Sequence, residues 1–309
     1  MSLLSPFITA SGWIYGRSSI HDDSRSVRGY PMYYPSVNGD RVFRGQRYMK
    51  YTRLSQLEKR VIQPYRLAPM LDPWSVTVPC ADIIEYVDCH RSFWEWRRTE
   101  DVRKEIVDTL FRRAGIPLQV VGLTGSLALD CPGDNPDLDL LVCGSQWVVP
   151  CIRELEKMLH RQEVSLMSID VAHRYAQRYA DLYQLPEETL FHLFHLDPTK
   201  IYIHGVKISI IFVYDTCEYK KIPTSLYREG GAEEVSVQGR VVSSLASWLY
   251  PREYLVMCDG ELYSVWSHHW LYKSMASSGA EVSIVARQVG ERVFSISALH
   301  HHILSATLH

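Results

Sequence analysis

Hydrophobic and polar positions change their spacing twice along the chain. Up to about residue 52, short apolar pairs such as Val42-Phe43 alternate with Gly, Tyr and Arg around turn signals, which predicts short antiparallel strands. From residue 100 the apolar positions recur with a helical period. This period predicts a helix over 100–114, with Thr99 as its N-cap and Gly115 as its end.

Beyond this helix, alternating and apolar runs predict two further groups of elements. The middle group has strands at 118–123 and 138–143, helices at 150–161, 169–183 and 186–195, and a hairpin over 201–214. The C-terminal group has strands at 235–243, 253–258, 261–267, 281–289 and 292–297. Several short strands in close succession are typical of a small β-barrel, and we interpret this one as OB-like.

These patterns predict an α+β fold class with three parts. They are a basic, aromatic β-rich N-terminal segment over 1–75, a core of mixed sheet and helices over 76–222, and the barrel-like domain over 223–309. The length of 309 residues and the hydrophobic content of 46% are those of an ordinary globular protein. A disordered or fibrous chain is thereby excluded.

Two features of the composition indicate the compartment. No stretch approaches the roughly 18 uncharged apolar residues that a membrane span requires. The seven cysteines are an odd number and are scattered without a Cys-x-x-Cys pair, which is typical of reduced thiols. We therefore expect a cytoplasmic protein with no membrane partner.

Charge is distributed unevenly along the chain. The first 60 residues carry ten basic and four acidic side chains, a net charge of +6, whereas the whole chain has a net charge of -2. Arg17, Arg41, Arg44 and Arg47 lie among tyrosines in this segment, and such a composition is typical of a surface that binds RNA or DNA. The alternative is a solvated face on a β-rich flap.

One stretch of the predicted core carries candidate chemistry. Gly125 and Ser126 end a strand and open a short helical turn, so free backbone N–H groups and a hydroxyl converge where a phosphate chain could sit. Asp137 and Asp139 alternate along the next strand and therefore point to one face. Two carboxylates beside a phosphate site suit Mg²⁺, which can bridge protein and nucleotide. The alternative is a polar strand start that follows a Pro-Gly turn.

The order of these residues, Gly-Ser followed at a short distance by Asp-x-Asp, resembles the signature of the DNA polymerase beta-like nucleotidyltransferase superfamily. The β-rich flanks also resemble those of uncharacterised prokaryotic predicted nucleotidyltransferases, and the resemblance covers roughly 95–215. It implies that Gly125 and Ser126 hold the phosphates of a nucleoside triphosphate and that Asp137 and Asp139 are catalytic ligands of two Mg²⁺ ions. A hydroxyl of an RNA, a protein or a small molecule would then attack the α-phosphate.

The chain departs from the family pattern where a third acidic residue is expected. Ser209 occupies that position, and Asp170, at a helix start, has no geometric argument in its favour as a substitute. Two hypotheses therefore stay open. The first is a Mg²⁺-dependent nucleotidyltransferase, impaired by the lack of the third acid. The second is a weak or inactive nucleotidyltransferase-fold module that binds nucleic acid or a partner protein, and in neither case is the oligomeric state predicted.

Overall fold

The computed structural model describes residues 2–21, 25–51, 64–67, 75–133, 136–183, 185–203, 205–227, 233–273, 275–296 and 302–305. These residues form a mixed α+β structure with a curled antiparallel N-terminal sheet, a central mixed sheet with helices, and a closed C-terminal β-barrel. The fold class predicted from the hydrophobic pattern is therefore confirmed.

The N-terminal sheet is built from eight strands within the described residues. They are β1 (Pro6–Thr9), β2 (Ile14–Arg17), β3 (Ser26–Pro35), β4 (Arg41–Phe43), β5 (Gln46–Lys50), β6 (Arg66–Leu67), β7 (Val76–Pro79) and β8 (Ile83–Tyr86). The long strand β3 pairs with β2, β5 and β7, and β1 pairs with β2 and β8. Because β7 and β8 belong to this sheet, the N-terminal β structure continues past residue 75 as far as Tyr86.

Within the described residues, the central part combines a mixed sheet with six α-helices. The sheet strands are β9 (Val121–Thr124), β10 (Leu138–Cys143), β11 (Lys200–Ile203), β12 (Val206–Val213) and β14 (Leu249–Tyr250). The helices are α1 (Cys89–Trp96), α2 (Lys104–Ala114), α3 (Gly125–Ala128), α4 (Val148–His160), α5 (Ile169–Tyr183) and α6 (Glu187–His195). Strand β10 runs antiparallel to β9 and parallel to β12, so the start of β10 lies beside the end of β9.

Alternation along β10 separates the two faces of the central sheet. Leu138 and Leu140 are fully buried and belong to the same apolar core as Phe111 of α2 and Leu155 of α4. Successive side chains of a strand point to opposite faces. Asp139 therefore points to the opposite face from Leu138 and Leu140, where Leu141 is buried further along the strand and polar side chains stand at the strand's start.

The C-terminal barrel closes with five strands. They are β13 (Glu233–Ser243), β15 (Arg252–Cys258), β16 (Glu261–Ser267), β17 (Glu281–Gly290) and β18 (Val293–Ile296). Pairing runs β13-β15-β16-β18-β17 and back to β13, with β16 and β18 parallel, while β19 (His302–Ser305) is added beside β17. A closed five-stranded barrel of this order is OB-like, as the sequence predicts.

The helix predicted over 100–114 begins only at Lys104. The Asp101 carboxylate accepts hydrogen bonds from both the backbone N–H and the guanidinium of Arg103, and this local pairing forms a separate turn before the helix. The prediction of Thr99 as the N-cap is therefore wrong. Short side-chain bonds of this kind compete with helix formation at just such positions.

The first predicted core strand is also shorter than 118–123. Leu118–Val120 forms a 3-10 turn after Pro117, and strand β9 begins only at Val121. Proline fixes its own backbone and lacks an N–H donor, so it favours a turn over continued pairing. The second core strand has the predicted bounds, because its apolar run is not interrupted.

Two expectations about the whole chain can be compared with the structure. In the part of the chain that the structure describes, no helix is long and apolar enough to span a membrane. All seven cysteines are free thiols, as the odd count predicts.

Candidate functional site

The Gly-Ser turn lies directly against one of the two carboxylates. Gly125 follows Thr124, the last residue of β9, and opens α3 with a φ of +73°. A Cβ atom at Gly125 would lie 2.5 Å from Oδ2 of Asp139, so both the backbone conformation and the close contact require glycine. Ser126 is buried beside it. The structure thus brings Gly125, Ser126 and Asp139 together.

The two aspartates stand at the start of β10. Asp137 immediately precedes the strand, which begins at Leu138, and its charge acts on Asp139. Asp139 lies opposite Thr124 of β9 on one side and opposite Ser209 of β12 on the other. The carboxylates are therefore close together on the polar face of the sheet. Ser209 is their neighbour on the adjacent strand, where the family pattern has its third acid.

A lysine occupies the same face, and sequence reasoning missed it. Lys207 lies two residues before Ser209 on β12, and its Nζ is 2.8 Å from Oδ2 of Asp137. Burial lowers the pKa of Lys207, but the charge of Asp137 and the hydrogen bond to it outweigh burial and hold that pKa above its ordinary value. The ammonium is therefore charged. Lys207 and Ser209 are two residues apart on one strand and therefore share a face, so this spacing could have predicted where the lysine lies.

Burial sets the protonation behaviour of Asp139. It raises the pKa of this carboxyl above its ordinary value, and the charge of Asp137 adds to the effect. The charges of Lys207 and Lys50 and a hydrogen bond with Ser209 act in the opposite direction. Three neighbours thus stabilise the ionised form of a carboxylate that desolvation disfavours.

The N-terminal sheet supplies further side chains to the face that carries the carboxylates, and the seam between the two sheets at these residues is called the cleft below. Tyr33 of β3 is 4% exposed, and burial raises the pKa of its phenol, with opposing contributions from Arg41 and from a hydrogen bond with Ser126. Nη1 of Arg41 lies against Gly133, where an added Cβ would be only 2.5 Å away. Lys50, at the end of β5, acts on Asp139 from the same sheet. None of these contacts follows from local sequence, because strands far apart in the chain provide them.

Arg41 is unusual among the arginines of the N-terminal sheet. Its Nε and Nη1 atoms are buried and have no hydrogen-bond partner within the described residues, although Oδ2 of Asp40 is 3.5 Å from Nε. A buried guanidinium without full hydrogen bonding is costly, which makes it a receptive group for an anion.

The other three arginines predicted to contact nucleic acid do not share the position of Arg41. Arg44 pairs with Glu85 at 2.6 Å, and Nη1 of Arg47 donates to a backbone carbonyl oxygen at 3.0 Å. Arg17 lies on β2, where its charge acts on Tyr219. The structure therefore brings Arg41, but not Arg17, to the face that carries the carboxylates. Contact with RNA or DNA stays a prediction.

A buried arginine fixes the loop that delivers Asp137. Nη1 of Arg103 donates to the carbonyl oxygen of Pro136 at 2.7 Å, and Nη2 pairs with Asp101 Oδ2 at 2.5 Å. Burial raises the pKa of Asp101, but hydrogen bonds from Arg103 and Trp96 bring it down to about 2. Arg103 thus holds the backbone immediately before the first carboxylate, a role that sequence reasoning missed.

The residues present do not fit a site for two Mg²⁺ ions. One carboxylate already holds an ammonium, and the neighbouring strand offers the neutral hydroxyl of Ser209 instead of a third carboxylate. Hard cations prefer several charged oxygen ligands. These side chains therefore do not support the pair of Mg²⁺ ions that the resemblance implies, and binding of Mg²⁺ itself stays a prediction.

A separate cavity opens at the far end of the central sheet. It has a volume of about 490 Å³ and is lined by residues that include Asp88, His90, Cys143, Asp215 and Tyr219. Cys143 ends β10, at the opposite end of the strand from the two aspartates. The candidate chemistry therefore does not lie in this cavity.

Comparison of the chain with protein-family models, with curated proteins and with solved structures finds no match. The assignment of a function consequently rests on the geometry described above and on the resemblance in the motif.

Proposed function

We propose that this protein binds a nucleotide through its phosphates in the cleft between the N-terminal and central sheets, on a nucleotidyltransferase-like core whose transfer activity is weak or absent. The observation that carries the proposal is the position of Asp139. It stands against the Gly125-Ser126 turn on one side and opposite Ser209 on the other. This arrangement agrees with what the motif resemblance implies, with a hydroxyl in place of one acid.

The charges around the cleft support phosphate as the recognised group. Lys207, Lys50 and Arg41 approach it from two different sheets, and Ser126 adds a hydroxyl beside the glycine turn. Ammonium and guanidinium groups form their strongest hydrogen bonds with anionic oxygens such as those of phosphates. A nucleoside triphosphate offers several such oxygens in a row.

The weakness of transfer follows from Ser209. Nucleotidyl transfer needs a group that accepts the proton of the attacking hydroxyl. A serine hydroxyl is neutral and weakly basic at neutral pH, so it cannot take this role. Nothing else on the adjacent strand substitutes within the described residues, because Lys207 is held as a cation by Asp137.

A Mg²⁺-dependent nucleotidyltransferase remains the second candidate. The observation in its favour is that Asp137 and Asp139 share one face beside the glycine turn, with the Asp137 side chain 45% exposed. The acceptor would be a hydroxyl of an RNA, a protein or a small molecule. Incorporation of an α-phosphate label into an acceptor at a rate of several turnovers per minute would decide for this candidate.

The proposal is tested by titrating the full chain with ATP by calorimetry and comparing two glycine variants. Gly125→Ala places a methyl group 2.5 Å from the Asp139 carboxylate, and we expect at least a tenfold loss of affinity. Gly115→Ala is the matched control, because Gly115 has a similar φ of +69° but open space around it. Equal loss in both variants, or no ATP binding by the native chain, would contradict the proposal.

A further inference from the structure

We infer that the Lys207 ammonium takes the place of a divalent cation in this cleft, so that the protein binds the phosphate chain of a nucleotide as the free anion, without Mg²⁺. This inference rests on the proposed function and specifies how the same site recognises its ligand. Its starting observation is the contact between Lys207 and Asp137. A cation of the protein itself is already seated on the carboxylate that the family motif would offer to a metal, with Nζ 2.8 Å from Oδ2.

The balance of charge at the site leads to the same conclusion. Two carboxylates, Asp137 and Asp139, face three cationic side chains, Lys207, Lys50 and Arg41. Asp40 pairs with Arg41, and Lys207 and Lys50 balance Asp137 and Asp139, so the carboxylates are matched by cations of the protein without any added ion. A site built for two divalent cations needs an excess of negative ligands. Here one such ligand is replaced by Ser209 and a lysine is added next to it.

The geometry of the ammonium suits a bridging role. A lysine ammonium has three N–H donors, and one of them is directed at Asp137. The side chain is 24% exposed, so it is not fully enclosed. Asp139 and the Gly125 turn lie on the same side of the sheet. The remaining donors can thus bind a phosphate oxygen while the first stays on the carboxylate. A metal ion between a carboxylate and a phosphate would bridge the same two groups.

Arg41, on β4 of the N-terminal sheet, is a further cation that supports binding of a free anion. Its buried Nε and Nη1 atoms have no hydrogen-bond partner in the portion of the chain described. Oδ2 of Asp40 lies 3.5 Å from Nε, and an anion would supply the hydrogen bonds that the two nitrogens lack, since a planar guanidinium binds phosphate oxygens in pairs. The ligand class is therefore a nucleoside di- or triphosphate that is not complexed with a metal.

The test is calorimetric titration of the full chain with ATP, once in EDTA and once in excess Mg²⁺, with adenosine as the control for binding through the base alone. Magnesium masks phosphate charge, so we expect affinity in EDTA at least equal to, and up to tenfold above, that in Mg²⁺. Lys207→Met should lower the affinity in EDTA at least tenfold. Lys157→Met, a change of a 60% exposed lysine on α4, should leave it unchanged.

The outcomes separate the two proposals. ATP binding that appears only with Mg²⁺ overturns the inference and leaves the proposed function standing, whereas no binding in either buffer overturns both. The comparison of the two buffers needs no variant, so it decides even if Lys207→Met does not fold. A second variant, Asp137→Asn, releases the ammonium and should tighten ATP binding in EDTA by about threefold. A loss of binding there would contradict the assigned role of Lys207.

Discussion

Two clusters of this protein each pair an aspartate with lysine, but they differ in how far they are buried. At the junction of the central part and the barrel, Asp197 is 4% exposed and accepts hydrogen bonds from Lys273 at 2.5 Å and from the hydroxyl of Thr199 at 2.7 Å. In the cleft, the Asp137 side chain is 45% exposed and pairs with Lys207. The first cluster is closed to further ligands, and the second still has donors and acceptors facing outward.

The difference shows that burial distinguishes ion pairs that only stabilise the fold from ion pairs that can still bind a ligand. A buried pair is tolerated only when additional hydrogen bonds satisfy its remaining atoms. Asp197 meets this condition, because the Thr199 N–H also donates to it and Lys200 lies 3.5 Å away. Burial raises the pKa of Asp197, but Lys273 and Lys200 outweigh burial and hold it well below its usual range. A ligand could not compete for such a group.

Replacing each aspartate with asparagine in turn is the most direct test of this comparison. Asp197→Asn would leave Lys273 and Lys200 buried without a counter-charge, and we expect it to lower the free energy of unfolding by about 3–5 kcal/mol. Asp137→Asn removes a partly exposed pair, and we expect a change below about 1 kcal/mol. Urea denaturation of both variants measures this. Similar losses in the two would show that the cleft pair is as structural as the junction pair.

The pH dependence of stability sharpens the comparison further. Burial lowers the pKa of Lys273 to about 7, and the neighbouring positive charges of Lys200 and Arg252 act in the same direction, while Asp197 opposes them. The unfolded chain keeps this proton up to a pH near 10.5, so between pH 7 and that value the unfolded state binds more protons. The contribution of Lys273 to the free energy of unfolding therefore rises with pH in that window. The cost of burying its charged form is fully present below pH 7.

We expect the native chain to gain about 3 kcal/mol from Lys273 between pH 7 and pH 9.5, since one proton contributes at most about 1.4 kcal/mol per pH unit. Denaturation curves of the native chain and of Lys273→Met at both pH values measure this difference. Lys207→Met should not alter the pH dependence in this window, because the pKa of Lys207 is raised. A native chain whose pH dependence matches that of Lys273→Met would contradict the expectation.

The barrel and the motif could be predicted from the sequence because each depends on local alternation. The strand predicted over 261–267 has those bounds in the structure, and the Gly125 turn lies beside Asp139 as the spacing implies. The cations of the cleft could not be predicted in the same way. Lys207 has the pattern of an exposed strand residue, and Arg41 reaches the cleft only because a distant hairpin packs there.

A smaller expected effect than that of Lys273 concerns Arg41 and tests whether this residue of the N-terminal sheet belongs to the site. Loss of one charge-assisted contact to phosphate should weaken ATP binding about tenfold, or about 1.4 kcal/mol, in Arg41→Ala. Arg91→Ala is the control, because Arg91 is exposed on α1 and pairs with Glu95. Calorimetry in EDTA measures both. If Arg41→Ala binds ATP like the native chain, Arg41 is not part of the phosphate site, and the positive charge there comes from Lys207 and Lys50.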